Sequence, residues 1–117
     1  MTSEGYTLDR PTAMSCPDCG GAMSRETRGR TTLYRCHIGH ALTIETLLHA
    51  KHSVLEEKLG ASLAVLSERA ELCRQLAERE REAGRDGSRF DRARDQSLER
   101  AEIVRSLLEG GWMHPEE

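Results

Sequence analysis

Aromatic residues are scarce in this chain. Its 117 residues include one Phe, one Trp and two Tyr, which together make up 3%. Aromatic side chains supply much of the area that a conventional core buries, so a large globular core is excluded. Charged residues reach 32%, and the apolar residues are mostly leucine and alanine. This composition is typical of amphipathic helices that pack through Leu and Ala.

The sequence also lacks a long apolar run and a marked excess of positive charge. No segment is long and apolar enough to cross a bilayer, and the N-terminus has no apolar leader region. The cysteine spacing is typical of metal binding in a reducing compartment, so we expect a cytoplasmic protein with no membrane partner. The net charge of −3 argues against a surface dominated by nucleic-acid contacts.

Three of the four cysteines and one histidine have the spacing of a metal site. Cys16 and Cys19 lie two residues apart within a turn, and Cys36 lies four residues before His40. Three thiolates and one neutral imidazole form a tetrahedral shell that suits Zn²⁺. We expect Gly20 and Gly21 to take positive φ where the chain leaves the first turn. No position is left for a water ligand, so the sequence predicts a structural site, no small-molecule substrate and no enzyme activity.

His37 is the alternative to His40 as the fourth ligand. It directly follows Cys36, and neighbouring side chains in an extended chain point apart. We therefore expect His37 to face solvent or to support the site. Cys73 lies alone in a helical run and is expected to be a small buried apolar residue.

Two other chemistries remain open at this stage. A C-x-x-C pair such as Cys16 and Cys19 also serves redox chemistry, but no βαβ pattern surrounds it. Glu45, His49 and His52 have helical spacing and could form a second metal site or an acid–base pair. Solvated or hydrogen-bonded histidines are the more usual interpretation.

The pattern divides the chain into four parts. We expect residues 1–14 to form a polar, flexible tail and residues 15–41 to form a zinc-ribbon module. In this module two strands, 22–26 and 31–35, make a hairpin around Gly29. Residues 43–110 form an antiparallel helical hairpin, with helices at 43–84 and 88–109, and residues 111–117 form a second tail. The predicted fold class is therefore mainly α, with a small β zinc ribbon before the helices.

Helix boundaries follow from capping residues. Thr43 is the expected N-cap of the first helix and Ser88 that of the second, while Gly84 and Gly110 mark the two C-terminal ends. Trp112 follows the second helix, and it either enters a groove on a partner or folds back on its own hairpin. The first helix is longer than the second and carries a wide Leu/Val stripe, so we expect homo-oligomers that pair through the helices.

Several segments resemble a known family. The segments at 15–21, 34–40 and 45–48 are similar to the C-terminal Cys/His and helical-hairpin extension of CheB-type chemotaxis methylesterases, and 66–79 resembles its first long helix. The esterase domain and its Gly-x-Ser-x-Gly turn are missing, and Gly60 replaces an expected bulky aromatic. The resemblance implies an accessory, signalling-linked module and does not carry over methylesterase activity.

A nucleic-acid-binding zinc ribbon is the alternative function. Four arginines, Arg25, Arg28, Arg30 and Arg35, make the hairpin locally basic. The module has few aromatics for stacking bases, and the helical part is acidic, so protein contact is the preferred interpretation.

Overall fold

The computed structural model describes residues 13–115, and the predictions for the outer ends of both tails fall outside this range. Within it the protein is mainly helical, with one small antiparallel sheet, as the sequence predicted. The strands are β1 (Met14–Ser15), β2 (Ala22–Arg28), β3 (Thr31–Cys36) and β4 (Ala41–Thr43), and the helices are α1 (Ile44–Glu82) and α2 (Ser88–Glu109).

The sheet has the strand order β1-β2-β3-β4, so the prediction of two strands was incomplete. Strands β2 and β3 are joined by the two-residue loop Gly29-Arg30, and Gly29 has a φ of +63°. Positive φ at the first loop residue alone fits a type II′ hairpin turn. The added strands are two and three residues long, which is too short to produce an alternating sequence pattern.

Residues 13–54 form a first compact unit, which is built around the sheet. Its core contains Cys16, Met23 and Cys36 from the sheet side and Leu47 from α1, all of them buried. The first turns of α1 therefore belong to the same core as the cysteines. The predicted N-cap is confirmed, because Thr43 Oγ1 accepts a hydrogen bond of 3.2 Å from the Thr46 backbone N–H.

Residues 55–115 form a second compact unit from the rest of α1 and from α2. The buried residues of α1 here are Ala70, Cys73 and Ala77, and those of α2 are Ser97 and Ala101. These side chains are all small, which lets two helices approach closely. The prediction for Cys73 is confirmed, since it is a buried member of this seam.

The turn between the helices is fixed by Gly84, which has a φ of +76°. Its N–H donates to Arg81 O at 3.0 Å, and Arg85 N–H donates to Glu80 O at 2.8 Å. This is a Schellman motif, which ends a helix by satisfying its last carbonyls.

The predicted N-cap of α2 was wrong. Ser88 is the first helical residue, and Gly87 occupies the cap position without a side-chain hydrogen bond. Asp86 Oδ1 instead accepts hydrogen bonds from the Ser88 N–H at 3.0 Å and from its hydroxyl at 2.6 Å. Glycine at the cap position has a steric reason, since a Cβ on Gly87 would lie 2.7 Å from Ala77 O.

Helix α2 ends before Gly110, as predicted, and Gly110 N–H donates to Ser106 O at 3.0 Å. The Trp112 indole N–H donates to Leu107 O at 2.9 Å. Of the two predicted positions for Trp112, the structure therefore has the one in which the tail folds back on its own hairpin.

Candidate metal centre

The first pair of cysteines lies on a tight turn after β1. Gly20 N–H donates to Cys16 O at 2.8 Å, and Cys16 N–H donates to Gly21 O at 2.7 Å. Gly20 has a φ of +76°, but Gly21 does not have positive φ, so the prediction holds for the first glycine only. The turn brings the Cys19 side chain back toward Cys16.

A similar turn follows β3. Gly39 N–H donates to Cys36 O, and Cys36 N–H donates to His40 O, both at 3.0 Å. Gly39 has a φ of +112°, which an L-residue rarely adopts. The strand register pairs Met23 with Cys36, and this places the second turn beside the first.

The two turns bring all four predicted ligands together. Their ligand atoms lie within 4.8 Å of one another, and no other group of three or more Cys, His, Asp or Glu side chains between residues 13 and 115 does this. We call the four residues the Cys/His cluster: Cys16, Cys19, Cys36 and His40. His40 contributes Nδ1 to the cluster.

The distances within the Cys/His cluster fit a tetrahedral ion site. Cys19 Sγ and Cys36 Sγ are 3.7 Å apart, and His40 Nδ1 lies 3.5 Å from Cys16 Sγ and 3.4 Å from Cys36 Sγ. A tetrahedral zinc site with usual bond lengths has S–S edges of about 3.8 Å and S–N edges of about 3.6 Å. A disulfide needs sulfurs about 2.05 Å apart, so these cysteines are free thiols.

Backbone hydrogen bonds favour the thiolate form of Cys36. Burial acts to raise the pKa of this thiol, but the N–H groups of His40, Ile38 and Gly39 outweigh burial and lower the pKa to about 6. Hydrogen bonding to the sulfurs of Cys16 and Cys36 raises the pKa of His40.

The interactions between the sulfurs shift the pKa values of Cys16 and Cys19 in opposite directions. Burial acts to raise the pKa of Cys16, but the N–H groups of Cys19 and Asp18 lower it overall. Cys19 receives a hydrogen bond from Gly21 N–H, yet burial and the neighbouring sulfurs of Cys16 and Cys36 raise its pKa. Three thiolates at this separation need a cation among them, and a divalent metal would supply its charge.

The cluster is not equally covered on all sides. Cys16 and Cys36 are buried and His40 is half-buried, but Cys19 is exposed. The ring of His37 lies beside Gly21, so that a Cβ on that glycine would be 3.1 Å from His37 Cε1. His37 is exposed and lies outside the cluster, in agreement with the choice of His40.

A lysine on α1 contacts the segment that leads into the cluster. Lys51 Nζ donates to Ser15 O at 2.5 Å and to Ser15 Oγ at 2.7 Å. These bonds link the helix to the residue directly before Cys16. Lys51 could not be identified from the sequence, because nothing local marks a contact between residues 36 positions apart.

Two of the four arginines in the hairpin are engaged within the sheet. Arg28 and Arg35 both pair with Glu26 at 3.0 Å. The hydrogen bond from Arg35, together with the charges of both arginines, lowers the pKa of Glu26. The pairing reduces the positive charge that the hairpin offers to a nucleic acid.

Comparison with protein-family models, with curated proteins and with solved structures found no match. The resemblance to the CheB-type extension therefore stays a prediction. Of the helices that the structure describes, neither has the length and apolar character to cross a membrane.

Proposed function

We propose that the protein is a non-enzymatic module in which one structural Zn²⁺ holds the first unit together and the helical hairpin binds another protein. The main support for zinc is the donor set, three thiolates and an imidazole at tetrahedral spacing. Soft sulfur ligands favour zinc over magnesium or calcium. Protein atoms would fill all four positions of such a shell, which is typical of structural sites.

Metal analysis of the purified protein and of single variants tests the zinc site. We expect about one equivalent of zinc in the wild type and its loss in Cys36→Ser or His40→Ala, because three ligands bind a structural ion much less tightly. His37→Ala is the matched control and should keep its zinc, since His37 lies outside the cluster. Full metal content in His40→Ala, or its loss in His37→Ala, would contradict the ligand assignment.

Cobalt substitution of the same samples addresses the non-enzymatic role. A closed shell predicts a cobalt spectrum typical of tetrahedral S₃N coordination. Added small anions or chelating substrate analogues should leave that spectrum unchanged. A spectrum that shifts when such ligands are added would indicate an open coordination position and favour an enzyme.

The resemblance to the CheB-type extension suggests an accessory role in bacterial signalling. Exposed apolar residues on both helices support the protein-binding part, among them Val65, Leu72 and Ile103. Self-association through the helices stays a prediction from the sequence, and light scattering measures it directly. Nucleic-acid binding has less support, because Glu26 engages two of the hairpin arginines.

A further inference from the structure

The three sulfurs of the Cys/His cluster differ in how far solvent reaches them. Cys16 and Cys36 are 2% and 3% exposed, and both belong to the core of the first unit. Cys19 is exposed, and so are the residues directly before and after it. A dissolved reagent therefore reaches one sulfur of the cluster before it reaches the other two.

A second sulfur lies in contact with the exposed one. Cys36 Sγ is 3.7 Å from Cys19 Sγ, because the pairing of Met23 with Cys36 sets the end of β3 beside the first turn. A disulfide joins sulfurs about 2.05 Å apart, so these two atoms must approach by roughly 2 Å. Since Cys19 is on the surface, its side chain has room to make this movement.

A bond between these two sulfurs would remove half of the proposed ligands. The metal ligand is the thiolate, and a sulfur in a disulfide no longer carries that charge. Only Cys16 and His40 would then remain of the four residues. Structural zinc sites use four protein ligands, so two ligands would not retain the ion.

We propose that the Cys/His cluster is an oxidation site for hydroperoxides, at which Cys19 reacts first, Cys36 completes a disulfide and the bound Zn²⁺ is released. The proposal rests on the zinc part of the proposed function and adds a reaction to it. Hydrogen peroxide is the simplest oxidant of this class. The cluster would thereby alternate between a zinc-bound form and a disulfide form.

The oxidation takes place in two steps. Cys19 Sγ, as the thiolate, attacks one oxygen of hydrogen peroxide, the O–O bond breaks, and a sulfenic acid and one hydroxide are formed. The Cys36 thiolate then attacks the Cys19 sulfur, the S–O bond breaks, and a second hydroxide leaves as the S–S bond forms. The two sulfurs lose two electrons to the peroxide, and two protons from solvent convert both hydroxides to water.

The return reaction needs a dithiol as the reductant. Its thiolate attacks the disulfide, and a second attack within the mixed disulfide releases both cysteines as thiols and leaves the dithiol oxidised. The four ligands are then available to zinc again. Cys73 is a buried free thiol in the second unit and lies outside the cluster, so it serves as an internal standard.

Limited alkylation of the full-length zinc-loaded protein tests which sulfur reacts first. N-ethylmaleimide is added below one equivalent, and a heavy-isotope maleimide added in denaturant then marks the unreacted thiols. Cleavage before Asp18 separates Cys16 from Cys19, and cleavage after Arg35 places Cys36 on a peptide of its own. We expect Cys19 to be labelled about tenfold or more faster than the other three cysteines, because reactivity follows access.

Peroxide treatment of the same protein tests the disulfide and the release of zinc. A colorimetric indicator measures free zinc, and mass spectrometry of the digest identifies linked peptides. We expect one equivalent of zinc for each disulfide formed, a link between peptides 18–25 and 36–51, and Cys73 still reduced. Dithiothreitol followed by added zinc should restore the metal content. Cys73→Ser is the control and should release zinc as the wild type does.

Four results would overturn the proposal: retained zinc in excess peroxide, zinc release without a disulfide, a disulfide that excludes Cys19 or Cys36, or labelling of Cys19 no faster than that of Cys36. Any of these in a protein that was purified with zinc leaves the proposed structural site intact. Absence of zinc before any treatment would instead contradict the proposed function, and this proposal with it. The metal content of the untreated sample therefore distinguishes the two failures.

Discussion

Gly87 and Gly60 are two glycines in the second unit with opposite surroundings. A Cβ on Gly87 would lie 2.7 Å from Ala77 O and 3.1 Å from Ala77 Cα, which are backbone atoms and cannot rotate away. A Cβ on Gly60 would meet nothing within 4 Å. The first glycine permits close contact between the helices, whereas the second only weakens α1.

Alanine substitutions at these two positions should therefore change the stability of the hairpin in opposite directions. We expect Gly87→Ala to reduce the free energy of unfolding of the hairpin by about 1–3 kcal/mol, because the chain must move apart at Ala77. Gly60→Ala should increase it by about 1 kcal/mol through helix propensity. Urea denaturation followed by circular dichroism measures both. If Gly87→Ala is as stable as the wild type, the close contact of residue 87 with Ala77 is not required for the stability of the hairpin.

Residues whose role depends on local chemistry were predictable from the sequence. The Cys/His cluster could be named because two turns with fixed spacing bring the ligands together. Ser88 was assigned as a cap, but Asp86 accepts its hydrogen bonds and the contact with Ala77 selects Gly87. Lys51 was not predicted either, because its hydrogen-bond partner Ser15 is distant in the sequence.

At the scale of elements, α1 is supported by a local charge network. Arg74 bonds Glu71 and Glu78, and Gln75 Nε2 donates to Glu71 at 2.8 Å. The hydrogen bonds from Arg74 and Gln75 lower the pKa of Glu71 from 4.5 to about 2. A carboxyl with a depressed pKa stabilises the folded form above its unfolded pKa, and this contribution is lost as the pH falls through the folded value.

Glu71→Gln should reduce the acid sensitivity of the hairpin between about pH 4.5 and pH 2. The wild type loses the charged pair with Arg74 over this range, whereas the variant lacks it throughout. Helical circular dichroism during urea titrations at several pH values measures the difference. Glu71 lies outside the Cys/His cluster, so acid should affect the cluster alike in both proteins. Parallel declines of the two proteins would show that Glu71 does not contribute.

The helices and strands differ in how well they could be predicted from the sequence. Helices α1 and α2 were predictable because apolar residues recur over many turns and glycines mark both ends. Strands β1 and β4 were not, since each forms only through its pairing with β2 or β3. The wide apolar stripe of α1 was predictable, but which of its leucines stay exposed was not, because their exposure depends on how α2 packs on α1.

At the scale of the whole molecule, the boundary between the two compact units falls within the sequence of α1, between Val54 and Leu55. The first unit depends on a core whose buried members are Cys16, Met23, Cys36 and Leu47. Two of these are proposed ligands, so a bound ion would stabilise the same unit as the core does. The second unit contains no member of the Cys/His cluster. Metal removal should therefore affect the units unequally.

Hydrogen exchange before and after chelation tests this division. We expect protection to be lost in β1 to β4 and in α1 as far as about Val54, since structural zinc contributes on the order of 10 kcal/mol to small modules. Amides near Ala70, Ala77 and Ala101 should keep their protection, and most of the helical circular dichroism should remain. His37→Ala serves as the control that keeps both metal and protection. Loss of protection near Ala101 on chelation would mean that the hairpin needs the ion. Unfolding of the first unit would then spread along the continuous helix α1, and the second unit would not be stable enough to resist it.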